Sequence, residues 1–538
     1  MSSSENETDT SVERRDSVEK VVGAPSVASI NEKGVIVDEQ YADATIEFMR
    51  EHDASVPEIT PQEERRLRRK VMFTVQVLTF FINMVLYMDK ATLSYASILD
   101  LWEHTGLTQD KYNNVNTIFY VGFLVGQIPG TWLVQKYPLS KVLFVLIFLW
   151  SILTFLFCTA YNYPGVVMLR FFLGLTEAPT IPILTTTNGM FMTRSERAAT
   201  MPVFYAACMA SPIPIGFIAY GVIYAKSTIP PYKILYIIIG GLTLILSVVI
   251  WFLYPDNPAS CKLMSVKERV WTIRRVQNTQ QASIEQKTFN KKHAIEALKD
   301  PISWIFFFFF LLQQLANNLP YQQTILFEEL GNVTNLGSTL VTVASAGFAV
   351  AWAAMTCIVL AIFPNTSFLA IIYGQLPAWV GSIAAATLDI HNSIGMLAVI
   401  CMAANVFGVS WICAFGLASA TAGSSYTKRQ VRNGMVLVGY SVSNMISPQL
   451  WQSKDAPRYI PAWIVQIVLS FTVAPALTSV AWYVLARRNR ERKQLLEQAI
   501  QEDADHGYVK NESGQIIEVN KGALDMTDLE DKTFIYPL

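Results

Sequence analysis

The sequence from Val71 to Lys90 reads VMFTVQVLTFFINMVLYMDK, an apolar run that ends in two adjacent charges. The run is nearly long enough to cross the hydrocarbon core of a bilayer, which takes about 20 helical residues. A charge at the centre of a spanning helix costs about 2.5 to 3.5 kcal/mol on insertion scales, so such residues usually face a protein interior and serve a function. Asp89 and Lys90 therefore indicate a polar site inside a membrane protein. The alternative is a charged pair that only marks the helix end at the headgroups.

The composition is that of a membrane protein along most of the chain. Of the 538 residues, 52% are hydrophobic and 15% are charged, against about 25% charged residues in ordinary soluble proteins. The charged residues are concentrated near the two ends, whereas apolar runs dominate residues 71–485. The formal net charge is −1 and no basic patch with interleaved aromatic residues is present, so we predict no nucleic-acid partner. The sequence predicts an all-α polytopic protein embedded in the lipid bilayer.

Twelve stretches are long and apolar enough to cross the membrane as helices. They lie near residues 71–91, 115–135, 141–160, 164–190, 199–225, 233–254, 302–325, 337–363, 367–388, 394–421, 431–450 and 461–486. The sequence thus predicts two six-helix bundles, at 71–254 and 301–490, joined by a charged linker at 255–300. The ends of the chain, 1–70 and 491–538, are polar and low in aromatic residues, and we predict that both are disordered tails.

Basic residues are distributed unevenly among the predicted loops. They cluster at 65–70 before the first span, along the linker, and at 487–493 after the last span. Loops with an excess of Lys and Arg lie on the cytoplasmic side, so we predict that both termini and the linker are cytoplasmic. Lys20 and Lys33 in the N-terminal tail are candidate acceptors for ubiquitin.

The two halves of the chain resemble each other. The sequence RSER at 194–197 precedes Tyr205, Ser211 and Pro212, and KRQVR at 428–432 precedes Tyr440, Ser447 and Pro448 at similar spacing. A parallel repeat of two six-helix units is typical of transporters that bind their substrate between the halves, near the middle of the bilayer. A chance match of short basic segments is the alternative.

Four charged residues lie within the predicted spans of the first half: Asp89, Lys90, Arg170 and Glu177. Arg170 and Glu177 are seven residues apart and therefore share one helix face. A fixed cation can bind a carboxylate substrate, and a carboxyl group that exchanges a proton can couple transport to a proton gradient. We predict Arg170 and Lys90 as substrate-binding residues, and Glu177 and Asp89 as coupling residues. The alternative is a set of internal salt bridges, although buried ion pairs often add little stability.

The seventh span is rich in amides without being charged, with Gln313, Asn317 and Gln323 predicted on one face. We predict Gln313 and Asn317 as substrate ligands, together with Asn444 in the eleventh span and Tyr205 in the fifth. Hydrogen bonding between helices, at about 0.6 kcal/mol per bond, is the alternative. We predict no metal or organic cofactor; the proton is the coupling ion.

Several segments resemble one family. The segments YMDKATLSYA at 87–96, NNVNTIFYVG at 113–122 and RFFLGLTE at 170–177 are similar to helix signatures of the anion:cation symporters in the major facilitator superfamily. The segment GYSVSNMISPQ at 439–449 resembles the fungal allantoate permease branch. The resemblance runs from Val71 to Arg490 and implies the major facilitator fold of twelve helices. It also implies proton coupling and substrate binding for the four charged residues of the first half.

The expected function is the proton-coupled import of a small carboxylate-bearing nutrient across the plasma membrane, by alternating access. The resemblance implies cysteine, allantoate, ureidosuccinate, nicotinate, pantothenate or a thiamine-related compound as the substrate. A nutrient receptor on the same fold, with little or no transport, is the alternative. An enzyme is disfavoured because none of the five histidines lies within a predicted span.

Overall fold

The computed structural model describes residues 48, 51–193, 196, 206–225, 227–280, 291–331, 333–363, 366–389, 391–404, 406–423, 425–501, 506–510, 516–520, 527–532 and 534–538. Lys20, Lys33 and Tyr205, and with them most of the predicted N-terminal tail, lie outside these residues. Within them, ten stretches are long and apolar enough to span a membrane. Two further long helices, Gln109–Lys136 and Tyr426–Ile446, are more polar and complete the twelve predicted spans.

We number the spans α1 to α12. The first half contains α1 (Val77–Ala96), α2 (Gln109–Lys136), α3 (Leu139–Leu156), α4 (Tyr163–Glu177 and Thr180–Phe191), α5 (Ala206–Ile223) and α6 (Pro231–Leu253). The second half contains α7 (Pro301–Gln313 and Leu319–Gly331), α8 (Asn335–Ile362), α9 (Ser367–Gly374 and Leu376–Thr387), α10 (Ser393–Ala403 and Gly408–Ala420), α11 (Tyr426–Ile446) and α12 (Ile460–Val465 and Ala474–Gln501, joined by a π-helical segment Gln466–Val473).

Local sequence explains where several spans begin. The helices α2, α4, α8 and α11 each start after a residue whose side-chain oxygen accepts an N–H of the first turn: Thr108, Asn162, Thr334 and Ser425. Such caps satisfy donors that a helix leaves without an intrahelical partner. The span α6 begins instead with a proline in the first turn, Pro231, where the missing N–H has no cost. The span α7 has both features, Pro301 in the first turn and the Asp300 side chain as an acceptor for the Ile302 N–H.

Small residues set the distance between α2 and α4. A Cβ atom on Gly122 would collide with the carbonyl oxygen of Phe171, and one on Gly174 would collide with that of Phe119. The two backbones can approach this closely only because both positions are glycine, the arrangement typical of small-residue helix contacts in membranes. This contact positions Phe119 beside the charged residues of α4.

One end of the bundle, here the terminal side, carries the amphipathic helix Pro61–Val71 and two linker helices. The first linker helix, Val266–Gln280, is joined to the first half by an ion pair between Arg275 and Glu196 with an N–O distance of 2.9 Å. The second, Lys291–Lys299, is joined to the second half, where the Lys428 Nζ and Glu296 Oε1 atoms lie 2.7 Å apart. Each half therefore carries its own linker helix.

The C-terminal tail differs from its prediction. The helix α12 continues to Gln501, and a two-stranded antiparallel hairpin follows, His506–Lys510 with Ile516–Asn520. Residues 527–532 and 534–538, here the C-terminal strap, pack against the second half. The strap is ordered because its apolar side chains Phe534 and Leu538 join the core around α7 and α12, so the prediction of a wholly disordered tail from residue 491 is wrong for these parts.

Charged and aromatic groups hold the C-terminal strap in place. The Asp528 carboxylate lies 2.6 Å from the Lys428 ammonium and accepts a 2.6 Å hydrogen bond from the Tyr536 hydroxyl. Arg492 donates to the backbone oxygen of Asp528 at 2.7 Å, and its guanidinium lies 4.6 Å from the centre of the Tyr536 ring. The strap is therefore joined to α11 through Asp528 and to α12 through Asp528 and Tyr536.

We expect Tyr536→Ala to lower the thermal unfolding temperature of the purified protein. The ring is 2% exposed, and truncating a buried aromatic side chain typically costs about 3 to 5 kcal/mol. Tyr483→Ala is the control because the Tyr483 ring lies on the same helix, α12, and is 63% exposed. Equal unfolding temperatures for Tyr536→Ala and the unsubstituted protein would show that the Tyr536 ring contributes nothing to stability.

Candidate functional site

Lys90 on α1 and Glu177 on α4 form a buried ion pair. The Lys90 Nζ and Glu177 Oε1 atoms lie 2.6 Å apart, and the two side chains are 5% and 0% exposed. Successive residues of a helix point about 100° apart, so Lys90 and its neighbour Asp89 face different surroundings. Lys90 therefore pairs with a residue of another helix and not with Asp89, its neighbour in the sequence.

Asp89 and Arg170 lie within the first half. The Asp89 carboxylate accepts a 3.1 Å hydrogen bond from the Thr154 hydroxyl on α3 and lies close enough to Arg170 for their charges to attract each other. The Arg170 guanidinium is 5.8 Å from the centre of the Phe119 ring and 5.5 Å from that of Phe157. Cation–π contacts of this kind stabilise a desolvated cation. The four predicted charged residues thus form two pairs, Lys90 with Glu177 and Asp89 with Arg170, which share the Phe119 ring and also act on each other electrostatically.

Aromatic rings surround the Lys90 ammonium. Its nitrogen lies 4.9 Å from the centre of the Tyr87 ring and 5.6 Å from those of Phe119 and Phe123. Tyr440 of α11 packs edge-on against Tyr120, with ring centres 6.2 Å apart. Aromatic rings of the first half therefore enclose Lys90. Tyr440 of α11, in the second half, packs against this group of rings.

A cavity with about 110 Å³ of free volume lies between the two halves, several times the space that one water molecule needs. Polar groups of α1, α7 and α8 line one part of it: Ser94, Gln314, Asn317, Gln323 and Thr342. Apolar and sulfur-bearing groups of α5 and α10 line another: Cys208, Met209, Phe407, Trp411 and Ile412. Tyr87, Tyr321 and Tyr440 complete the wall next to Lys90. None of the described residues that line this cavity is charged.

Only some of the predicted ligands reach the cavity. Asn317 does, and its amide nitrogen donates to Asn444 Oδ1 at 2.6 Å and to the Tyr120 hydroxyl at 3.3 Å. Asn444 therefore lies in the layer behind the wall. Gln313 points elsewhere and donates to the backbone oxygen of Phe407 at 3.1 Å, so its prediction as a direct ligand is not supported.

A local change of helix type explains this difference. The 3₁₀ turn Gln314–Ala316 interrupts α7, and its tighter winding alters the face on which later residues lie. Gln314 takes the place expected for Gln313 in the cavity wall. The Arg170 side chain is likewise absent from the wall and packs between phenylalanine rings. Lys90 lies just behind Tyr87 and Tyr440, and so comes nearer to the cavity than Arg170 does.

The end of the bundle opposite the terminal side, where α1 ends and α2 begins, is called the far side here. Most hydrogen bonds between the two halves lie there. Gln322 of α7 accepts from Gln109 and donates to Asn113, both at 2.9 Å. The Asn113 amide also donates to the backbone oxygen of Trp451, and the Asn335 amide donates to that of Ile98 at 2.6 Å. These contacts hold the two halves together on the far side of the cavity.

This arrangement, two six-helix halves around a central cavity with buried charges beside it, is that of a membrane transporter and not of an enzyme. Residues 79–448 match the family model of the Major Facilitator Superfamily. The chain belongs to this superfamily, and the prediction of its fold is confirmed.

The chain has close fungal relatives. It is 53% identical over 531 residues to the high affinity cysteine transporter of Saccharomyces cerevisiae, an alignment that covers 97% of this chain and 99% of that protein. It is 26% identical to the allantoate permease of the same yeast, over 90% of this chain and 89% of the permease. The resemblance to the fungal allantoate permease branch is therefore confirmed.

Solved structures show the same fold at low sequence identity. A D-xylose–proton symporter superposes with a TM-score of 0.57 at 12% identity, covering 76% of this chain and 97% of the symporter. A bacterial homologue of the human lysosomal transporter Spinster, in an inward-facing and unoccupied conformation, superposes with a TM-score of 0.52 at 12% identity, covering 77% and 97% of the two chains.

Proposed function

We propose that the protein imports cysteine across the plasma membrane together with protons. The similarity to the yeast cysteine transporter supports this substrate. The chemistry of the cavity supports it independently, because its described lining is uncharged but rich in amides and hydroxyls. A net anion would be costly to bury there without a partner. A zwitterion such as cysteine has no net charge, and amides can donate to its carboxylate and accept from its ammonium group.

The position of Lys90 supports a coupling mechanism. Lys90 is held by Glu177 at 2.6 Å and is separated from the cavity by the Tyr87 and Tyr440 rings. We propose that the substrate carboxylate and the Glu177 carboxylate compete for the Lys90 ammonium. When Glu177 takes up a proton it loses its charge, and Lys90 becomes available to the substrate. When Glu177 releases the proton it recaptures Lys90, and the substrate is freed.

The hydrogen bonds between the halves support a direction for this cycle. The basic clusters favour a cytoplasmic terminal side, which makes the far side extracellular. The far-side hydrogen bonds then close the cavity from outside, as expected for an inward-facing state. In this state Lys90 is paired with Glu177, the arrangement that the proposed cycle requires after the substrate and the proton have left.

Uptake of radiolabelled cysteine by yeast that lacks its own high-affinity uptake tests the proposal. We expect uptake that is saturable, is faster at pH 5 than at pH 7, and is lost when a protonophore collapses the gradient. Unlabelled allantoate, nicotinate and pantothenate should compete weakly because none of them has an ammonium group to donate to the amide and hydroxyl oxygens of the cavity. Cells that express the protein at the surface but take up allantoate and not cysteine would contradict the proposed substrate. Uptake unaffected by the protonophore would contradict the coupling alone.

A further inference from the structure

The cavity has a second wall whose chemistry differs from that of the amide wall. Met209 on α5 lines the cavity together with Phe407, Gly408 and Trp411 of α10. A Cβ atom placed on Gly408 would lie 2.8 Å from the terminal methyl carbon of Met209, so the methionine side chain lies directly across this glycine. Met209, Phe407 and Trp411 are together called the soft wall here.

Packing behind the soft wall holds its rings in place. The Trp411 ring is stacked on Phe415, with ring centres 5.5 Å apart and an interplanar angle of 8°. It also meets the Phe310 ring edge-on, at 5.9 Å. Phe407 is 3% exposed and lies 6.2 Å from the Phe471 ring. Because the rings are fixed by their neighbours, the soft wall can hardly rearrange to offer a polar group to a ligand.

We propose that the soft wall, with Met209 at its centre, is the subsite for the substrate thiol and distinguishes cysteine from serine. This inference rests on the proposed function. A thiol is polarizable, is a weak hydrogen-bond donor, and makes favourable contacts with aromatic rings and other sulfur atoms. A hydroxyl in the same place would lose its hydrogen bonds to water and gain at most a weak one from the thioether, which is a poor acceptor. Leaving a buried polar group unpaired in this way lowers affinity by about five- to hundredfold.

The amide wall fixes the orientation of the bound amino acid. Gln314 and Asn317 on α7 lie in the lining of the cavity together with Tyr321, and the Asn317 amide donates to the Tyr120 hydroxyl at 3.3 Å. The carboxylate and ammonium groups of the substrate are satisfied there. The side chain then has the soft wall as its remaining surface. Selection among amino acids of similar size therefore depends on what the soft wall can accept.

The first test uses the unsubstituted protein and a series of competitors for labelled cysteine. 2-Aminobutyrate carries a methyl group in place of the thiol, whereas serine carries a hydroxyl of similar size. We expect 2-aminobutyrate to inhibit cysteine uptake at least five times more strongly than serine does. Serine that competes as well as 2-aminobutyrate would overturn the thiol subsite. This result needs no substitution, so misfolding of a variant cannot obscure it.

The second test uses two substitutions at one position. Met209→Gln keeps nearly the same size and supplies a donor and an acceptor, so we expect the ratio of serine to cysteine affinity to rise at least tenfold. Met209→Leu stays apolar and should leave that ratio within about twofold of the original. If both variants take up cysteine and neither changes the ratio, the soft wall does not select the thiol, although cysteine transport itself stands. If the unsubstituted protein takes up no cysteine, the proposed function fails first.

Discussion

Glu177→Gln is expected to exchange cysteine across the membrane without accumulating it. The amide is neutral and nearly the same size as the protonated acid, so it mimics the proton-loaded state permanently. Lys90 loses its 2.6 Å ionic partner but keeps its cation–π contacts with Tyr87, Phe119 and Phe123, and it stays available to the substrate carboxylate. We therefore expect counterflow in preloaded vesicles to continue and the affinity for cysteine to become independent of pH. Accumulation driven by an imposed pH gradient should be lost.

Asp89→Asn provides the comparison for this experiment. Asp89 is equally buried but interacts with Thr154 and Arg170 inside the first half, away from the cavity wall. If Asp89 is only structural, its neutral form should retain gradient-driven accumulation. A Glu177→Gln protein that still concentrates cysteine against its gradient would refute the assignment of Glu177, and Asp89 would become the coupling residue to test next.

Lys90→Met is expected to have the second large effect, a loss of folded protein at the surface. The substitution leaves the Glu177 carboxylate buried at 0% exposure without its cation. Removing one partner of a buried ion pair typically costs about 3 to 5 kcal/mol, a large share of the stability of most proteins. Thermal unfolding of the purified variant and its amount at the cell surface should both decrease.

The double substitution Lys90→Met with Glu177→Gln separates stability from transport. It removes both charges, so we expect it to reverse most of the decrease in unfolding temperature that Lys90→Met causes. Buried ion pairs in other proteins behave in this way when both partners are replaced together. Cysteine transport should stay absent because the cation that binds the carboxylate is gone. Recovery of transport in the double variant would show that the pair is structural. A Lys90→Met protein as stable as the original would show that the ion pair is not formed in the membrane.

Hydropathy was sufficient to predict the fold. In a bilayer every backbone N–H and C=O group must find a hydrogen-bond partner within the protein, and long apolar helices are one of the few structures that allow this. The four charged residues could also be identified, because charges stand out within apolar spans. Their partners could not be inferred, because Lys90 pairs with a residue 87 positions away on another helix and not with its neighbour. The C-terminal strap was missed because a few apolar side chains in a polar tail carry no periodic signal.

The amide ligands show a different limit of sequence reasoning. A regular helix through residues 313–323 would have placed Gln313 in the cavity wall. Because of the 3₁₀ turn Gln314–Ala316, Gln314 lines the cavity in its place. Pro320 accounts for a break near this point, because it has no N–H for the Ala316 carbonyl and its ring clashes with that carbonyl, but the sequence does not show which amide then faces the cavity. Met209 and Trp411 were missed for a related reason, because apolar residues in apolar spans do not reveal which of them face a ligand.

Because one linker helix is attached to each half, labels placed outside the membrane can report how the two halves move relative to each other during transport. Val266 and Ile295 are 42% and 52% exposed on the first and second linker helices, which are anchored by Arg275–Glu196 and Lys428–Glu296. A spin-label pair at these two positions would move with the halves while leaving every spanning helix unlabelled. Distance distributions measured with and without substrate could then be read as populations of the inward-facing and outward-facing states.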